Sequence, residues 1–203
     1  MSQELIIATT NQGKLREIKD LLKEFDFKIT SLKDYPDIPP IEEDGTTFSQ
    51  NALKKAATVA LYTKKLTMGE DSGLEVKALN NAPGIYSARF SGENANDRKN
   101  NLKLLRSLQK IPLKKRQARY RCFAALVDGE KIIDVVSGNC SGLVALKSKG
   151  KNGFGYDPLF LIPRYNKTFG ELDGKIKEKI SHRARALKKV KRVLKKYLRG
   201  HKS

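Results

Sequence analysis

Apolar and polar positions along this 203-residue chain follow two rhythms in alternation. Leu5-Ile6-Ile7-Ala8 is a short unbroken apolar run suited to a buried strand. After a polar stretch, Leu15, Ile18, Leu21, Leu22 and Phe25 recur at helical spacing. Phe48, Ala52, Ala56, Val59 and Ala60 form a second helical face, preceded by Thr47 and Gln50 at capping-box spacing. The pattern predicts a strand over 4–9, a helix over 14–24, a strand over 27–32 and a helix over 47–64. It continues with strands over 66–71 and 73–78 and a helix over 97–109. Strands over 116–127 and 131–146 follow, joined as a hairpin by an Asp128-Gly129 turn. A strand over 158–163 and helices after 168, chiefly 180–199, close the chain. Helices alternating with strands, plus one hairpin, indicate an α/β fold with a mixed sheet flanked by helices.

Composition changes this picture modestly. The length suits one domain, or one domain with two lobes, large enough for a real core. No apolar run approaches the length of a membrane span, and the N-terminus carries no signal-peptide pattern. Cys122 and Cys140 match no metal spacing and need not pair, so a reducing cytoplasm is the expected location. The formal charge of +19 is uneven: residues 175–203 hold 13 Lys or Arg and one acid, Glu178. Within them Ala184, Leu187, Val190, Leu194, Tyr197 and Leu198 keep helical spacing, which sends the cations of 188–203 to the exposed side of a helix and its tail. Such a helix could meet nucleic acid or an anionic membrane. The plainer reading is solubility and steering of polyanionic nucleotides, with no specific nucleic-acid partner and no membrane.

Five segments carry candidate chemistry, and the first four also have a plain structural reading. Glu70-Asp71-Ser72-Gly73 ends a predicted strand in two acids; it is either ordinary turn chemistry or a rigid carboxylate pair that requires a cation. Thr9-Thr10-Asn11-Gln12-Gly13-Lys14 joins a strand to a helix; backbone amides, the helix dipole and Lys14 could hold phosphate, although the loop is no Walker A motif. Glu42-Glu43-Asp44 precedes a helix and would complement its dipole, or Glu42 or Glu43 joins Asp71 around a divalent ion such as Mg²⁺. In Gly153-Phe154-Gly155-Tyr156-Asp157 one aromatic could cap the core while the other stacks on a nucleobase. His182, beside Arg183 at a helix start, could donate to a carbonyl-rich edge, whereas His201 lies in a tail that is expected to fray.

Taken in order, the segments resemble the inosine triphosphate pyrophosphatases, which hydrolyse deaminated purine nucleoside triphosphates. The resemblance rests on residues 8–14, 42–52, 70–74, Ala82-Pro83-Gly84-Ile85-Tyr86-Ser87-Ala88-Arg89, Gly153–Pro158 and Ile180–Arg183. Thr10, Asp44 and Glu70 depart from the residues most usual in bacterial members.

The resemblance implies a single two-lobed domain over 1–203, an elongated sheet with a central nucleotide cleft, and a homodimer. It also implies Mg²⁺-dependent attack of water between the α and β phosphates of ITP, dITP or XTP. Glu42 and Asp71 would hold the metal, with help from Glu43 or Glu70, and Asp71 would be the general base, directly or through a bound water. Thr9, Thr10, Asn11, Gln12, Gly13 and Lys14 would bind the triphosphate, with Ser72 donating nearby. Phe154 would stack on the purine, Gly155, Tyr156 and Asp157 would shape its pocket, and Lys177 would add a substrate contact. His182 and Arg183 would donate to the C6 carbonyl that distinguishes hypoxanthine and xanthine from adenine. The loop 80–87 is expected to be scaffold or a dimer contact.

Overall fold

The computed structural model describes residues 3–200. The end of the expected basic tail, residues 201–203 with His201, lies outside the described residues. Seven strands form one mixed sheet flanked by helices. In chain order they are β1 Gln3–Ala8, β2 Phe27–Ser31, β3 Leu66–Val76, β4 Gln117–Asp128, β5 Lys131–Val144, β6 Phe160–Ile162 and β7 Lys167–Thr168. Their order across the sheet is β2-β1-β3-β4-β5-β6-β7. The helices are α1 Gln12–Leu22, α2 Phe48–Thr63, α3 Asp97–Ser107, α4 Gly174–Ile180 and α5 His182–Gly200.

The chain divides into two compact units, and β3, β4 and β5 supply residues to both. The first contains residues 1–71, 122–138 and 183–203, and the second contains 72–121 and 139–182.

In the first unit, β1 pairs in parallel with β2 and with β3, so the carboxyl ends of β1 and β3 lie side by side, Ala8 opposite Gly69. This register brings the loop after β1 to the acids that follow Gly69, as expected for ligand sites at the carboxyl ends of parallel strands. Both sheet faces are covered. Leu5, Ile7 and Met68 pack with Leu15, Ile18 and Leu22 of α1 and with Leu187, Val190 and Leu194 of α5. Ile6 and Ala8 pack with Val59 of α2 on the other face. Strand alternation therefore explains why β1 is apolar at every position from Leu5 to Ala8. The small face of α2 lets β3 approach closely: a Cβ on Gly69 would lie 2.1 Å from the Ala52 carbonyl oxygen and 2.6 Å from the Ala56 nitrogen.

The second unit is built around Tyr120, Tyr156, Leu159, Phe160 and Phe169, with Leu104 of α3 and Leu108 at its C-terminal end. Short antiparallel pairings of β5 with β6 and β6 with β7 complete its edge.

Several boundaries differ from the sequence expectation for identifiable reasons. The strands expected over 66–71 and 73–78 are one strand, because Gly73 is accommodated without a break. Helices after 168 form as expected, and the main one starts at His182 rather than 180, because Ser181 is extended (φ −67°, ψ 161°) and caps α4 before α5 begins. The Thr47/Gln50 capping box forms as expected.

Candidate active site

Consecutive residues on a strand point to opposite faces, and β3 applies this rule to two neighbouring acids. Met68 faces the α1 and α5 side and Gly69 faces α2. Glu70 therefore follows Met68, and Asp71 follows Gly69. Each buried carboxylate makes its direct ion pairs with different cations.

On the first face, Glu70 is 1% exposed. Its Oε2 lies 2.9 Å from Lys14 Nζ, and its Oε1 accepts from Arg183 at 3.2 Å and from the Cys122 thiol at 3.1 Å. Arg183 also pairs with Glu17 of α1. Burial would raise the Glu70 carboxyl, but Arg183 and Lys14 outweigh it and hold the acid well below its ordinary range. Burial likewise pushes Lys14 down, while Glu70 and Asp71 more than offset that and keep it firmly charged. Cys122 is pushed well up, by burial first and by the adjacent Glu70 second, so it stays a neutral thiol donor.

On the second face, Asp71 is 6% exposed. Asn51 Nδ2 donates to its Oδ2 at 3.4 Å, and Lys55 Nζ lies 3.3 Å from its Oδ1. The same ammonium is 3.0 Å from Glu43 Oε2. Asn51 and Lys55 stand one turn apart on α2, so one helical face holds both. The Asn51 side-chain oxygen accepts from Gly45 N at 2.8 Å, which ties the acidic segment to the same helix. Glu42 is exposed and lies outside this ion-paired set. The Asp71 pKa is raised: burial is the main cause, Lys55 and Lys14 oppose it, and Glu43 and Glu70 add to it.

The loop after β1 is organised by its own side chains. Thr9 Oγ1 accepts from Asn11 N at 3.1 Å, and Asn11 Oδ1 caps α1 through Lys14 N at 3.0 Å. Gln12 and Gly13 occupy the first turn of α1, where backbone N–H groups have no intrahelical partner. Thr10, Asn11 and Gln12 are exposed and Lys14 is half-buried.

In the second unit, the loop 153–157 is fixed from several sides. Asp157 Oδ2 accepts from Phe154 N at 2.9 Å and from Lys177 Nζ at 2.5 Å. A Cβ on Gly153, whose φ is +77°, would lie 1.9 Å from that same Asp157 oxygen, so only glycine fits there. Gly155 donates to Asp97 at 2.7 Å and accepts from Asn101 at 2.9 Å. Tyr156 is buried and donates to the Ser87 carbonyl at 2.8 Å. Phe154 is half-buried, with Lys177 Nζ 5.0 Å from its ring centroid. His182 stacks on Tyr120 with centroids 4.4 Å apart and an interplanar angle of 8°, and the Tyr120 hydroxyl accepts from Tyr156 N at 3.1 Å. Ser72, half-buried, follows Asp71 on β3.

The sequence reading missed Lys55, Asn51, Glu17 and Tyr120. Asn51 and Lys55 did carry a signal: two polar residues four apart inside the small apolar face of α2. Glu17 and Arg183 lie 166 positions apart, beyond any local pattern.

A Mg²⁺ ion suits one or two carboxylates with substrate phosphates completing its shell. Glu43 and Asp71 fit that description, since both already turn an oxygen toward one positive centre, Lys55 Nζ. Among the described residues there is no group of three or more His, Cys, Asp or Glu side chains that could hold a metal on its own.

A sequence model of the Ham1 family matches residues 5–193. A dITP/XTP pyrophosphatase of Desulforamulus reducens is 47% identical over 191 residues, covering 94% of this chain and 95% of that protein. One of Shouchella clausii is 45% identical, covering 94% and 96%. The solved structure of a HAM1 protein from Coxiella burnetii superimposes with a TM-score of 0.86 at 38% identity, covering 96% of this chain and 99% of that one. The Staphylococcus aureus Ham1 protein gives a TM-score of 0.83, also at 38% identity, over 98% and 100%. With the motifs in order, the sheet matched and near-complete coverage on both sides, the chain belongs to the Ham1 family.

Proposed function

We propose that this chain is a nucleoside triphosphate pyrophosphatase that hydrolyses ITP, dITP and XTP to the nucleoside monophosphate and pyrophosphate with Mg²⁺. The observation that carries this reading is Asp71: a buried carboxylate of raised pKa, beside a phosphate-type loop, sharing one ammonium ion with Glu43. The names of the relatives supply the substrate class.

Asp71 is the general base, acting directly or through a bound water. An ordinary carboxylate is too acidic to take a proton from water near neutral pH, and a raised pKa narrows that gap. Glu43 and Asp71, with Glu42 adjoining in sequence, would hold Mg²⁺, which when bound neutralises phosphate charge and orients the leaving pyrophosphate. Glu70 serves a different end in this reading: it fixes the Lys14 ammonium and is itself fixed by Arg183. Thr9, Thr10, Asn11, Gln12, Gly13 and Lys14 hold the triphosphate, and Ser72 donates beside them. Lys55 keeps Asp71 ionised.

In the second unit, Phe154 stacks on the purine while Gly155, Tyr156, Asp157 and Lys177 hold that ring in place. His182, oriented by its stack on Tyr120, donates to the C6 carbonyl of an oxidised purine, and Arg183 follows it in sequence as the second donor candidate. Adenine would set an amino group against that donor, a mismatch of about 1–3 kcal/mol.

Two buried free cysteines fit a reducing cytoplasm, and no helix among the described residues is long and apolar enough to cross a membrane. A homodimer is the assembly we expect, measurable by sedimentation.

The test is Mg²⁺-dependent pyrophosphate release from inosine, xanthosine, guanosine and adenosine triphosphates, with Asp71→Asn as control. Equal rates on all four overturn the selectivity, and turnover by the wild type no faster than by the control overturns the enzyme.

A further inference from the structure

The surface of α5 has a property that the proposed hydrolysis does not use. From Arg185 to Arg199 every exposed position is a cation: Arg185, Lys188, Lys189, Arg192, Lys195, Lys196 and Arg199. These positions recur every three or four residues, so they form one continuous stripe along the helix. The helix has no acidic residue. One external acid, Glu24, reaches Lys191 at 2.8 Å and Lys195 at 2.9 Å.

We propose that this stripe docks double-stranded DNA through its phosphate backbone, independently of sequence. Three observations select that partner. The apolar side of α5 is spent in the core, with Leu187, Val190, Leu194 and Tyr197 all buried, so the helix has no face to insert into a bilayer. The exposed stripe contains no aromatic side chain on which unpaired bases could stack, which disfavours single strands. Its dimensions match a duplex: Arg185 to Arg199 spans about 21 Å at the helical rise. Over that length B-form DNA presents about 12 phosphates. A helix about 10–12 Å across also suits a major groove about 12 Å wide, whereas the A-form groove is too narrow. Docked there, the protein would stand beside the polymer whose precursors the proposed activity cleans, a convenience on which the binding does not depend.

The experiment is fluorescence anisotropy of the full chain with a labelled duplex of about 20 base pairs, titrated between about 50 and 200 mM salt. The stripe variant carries Lys188→Gln, Lys189→Gln, Arg192→Gln and Lys196→Gln. A control with the same net charge carries Lys28→Gln, Lys33→Gln, Lys110→Gln and Lys147→Gln, all exposed positions elsewhere. Thermal melting and pyrophosphate release verify that both variants fold. The stripe variant is expected to bind at least about tenfold more weakly at low salt, and its slope of log K against log salt becomes shallower by about 3–4. The control keeps a slope within about 1 of the wild type. Equal losses in the two variants would mean bulk charge alone and overturn the proposal. So would binding of duplex RNA, single-stranded DNA or anionic vesicles as tightly as duplex DNA, or absence of wild-type binding at the lowest salt.

Discussion

Replacing Lys55 by Met removes the ammonium that Asp71 and Glu43 share, and its effect on Asp71 follows from the geometry. The ion pair at 3.3 Å corresponds to a Coulomb attraction of about 5 kcal/mol at an effective dielectric of about 20. Water entry and relaxation after the substitution cut that by about half, leaving about 2–3 kcal/mol, the equivalent of about 30–100-fold in the protonation equilibrium. The direction is upward, because a positive neighbour favours the charged carboxylate and its loss favours the proton. A general base works only when deprotonated, so the acidic limb of the kcat/KM profile moves to higher pH accordingly. Below the limb the variant is about 30–100-fold slower, and well above it most of the rate returns. Pyrophosphate release from ITP between about pH 5 and 10 at saturating Mg²⁺ is the measurement. Lys55→Arg, which retains the charge, should keep the limb near its original position. A uniform drop at every pH with an unmoved limb would refute the reasoning and assign Lys55 to the substrate instead.

Three further outcomes follow from other parts of the molecule. Phe154→Ala should raise KM for ITP by about 5–150-fold with kcat largely kept, the equivalent of about 1–3 kcal/mol of lost stacking; an unchanged KM removes Phe154 from that role. Glu4→Gln tests a half-buried surface network: burial raises the Glu4 pKa, but Lys65, Tyr35 and Thr30 outweigh it and bring it from 4.5 down to about 2. Because the folded value is depressed, the contribution is full above about 4.5 and is lost as pH falls toward about 2. Urea unfolding should therefore find the variant about 1–3 kcal/mol less stable at neutral pH and equal to the wild type near the bottom of that window. Gly69→Ala forces a methyl against the backbone of α2, which cannot turn aside as a side chain would, and should cost about 1–3 kcal/mol or more in the same assay.

Much of this architecture was legible before any coordinates. The apolar run Leu5–Ala8, the helical spacing from Leu15 to Leu22 and the Thr47/Gln50 cap are local signals, and each produced the element it predicted. The acids of β3 were legible as a pair, but the period-two rule that separates them needed a known strand register before it could be applied. Ser181 left no mark strong enough to set the start of α5 to the residue, because Ile180 and Ala184 keep helical spacing across it. Lys55 was hidden in a helix whose small residues drew attention as core. Partners such as Glu17 and Arg183 meet only through tertiary packing, so no window along the chain could have joined them.

The back-to-back placement of Glu70 and Asp71 gives each acid separate ion pairs while leaving the two coupled through Lys14. Behind the sheet plane Lys14, Arg183, Glu17 and Glu70 balance one another's charge, yet Lys14 and Glu70 also act on the proton affinity of Asp71. In front, Lys55 and the Asn51 amide touch the acid that must give and take protons, and Lys55 is the stronger of the two lysines that favour its charge. An engineer could therefore retune the working pH through Lys55 of α2 alone, whereas reworking Lys14 or Glu70 would shift Asp71 as well.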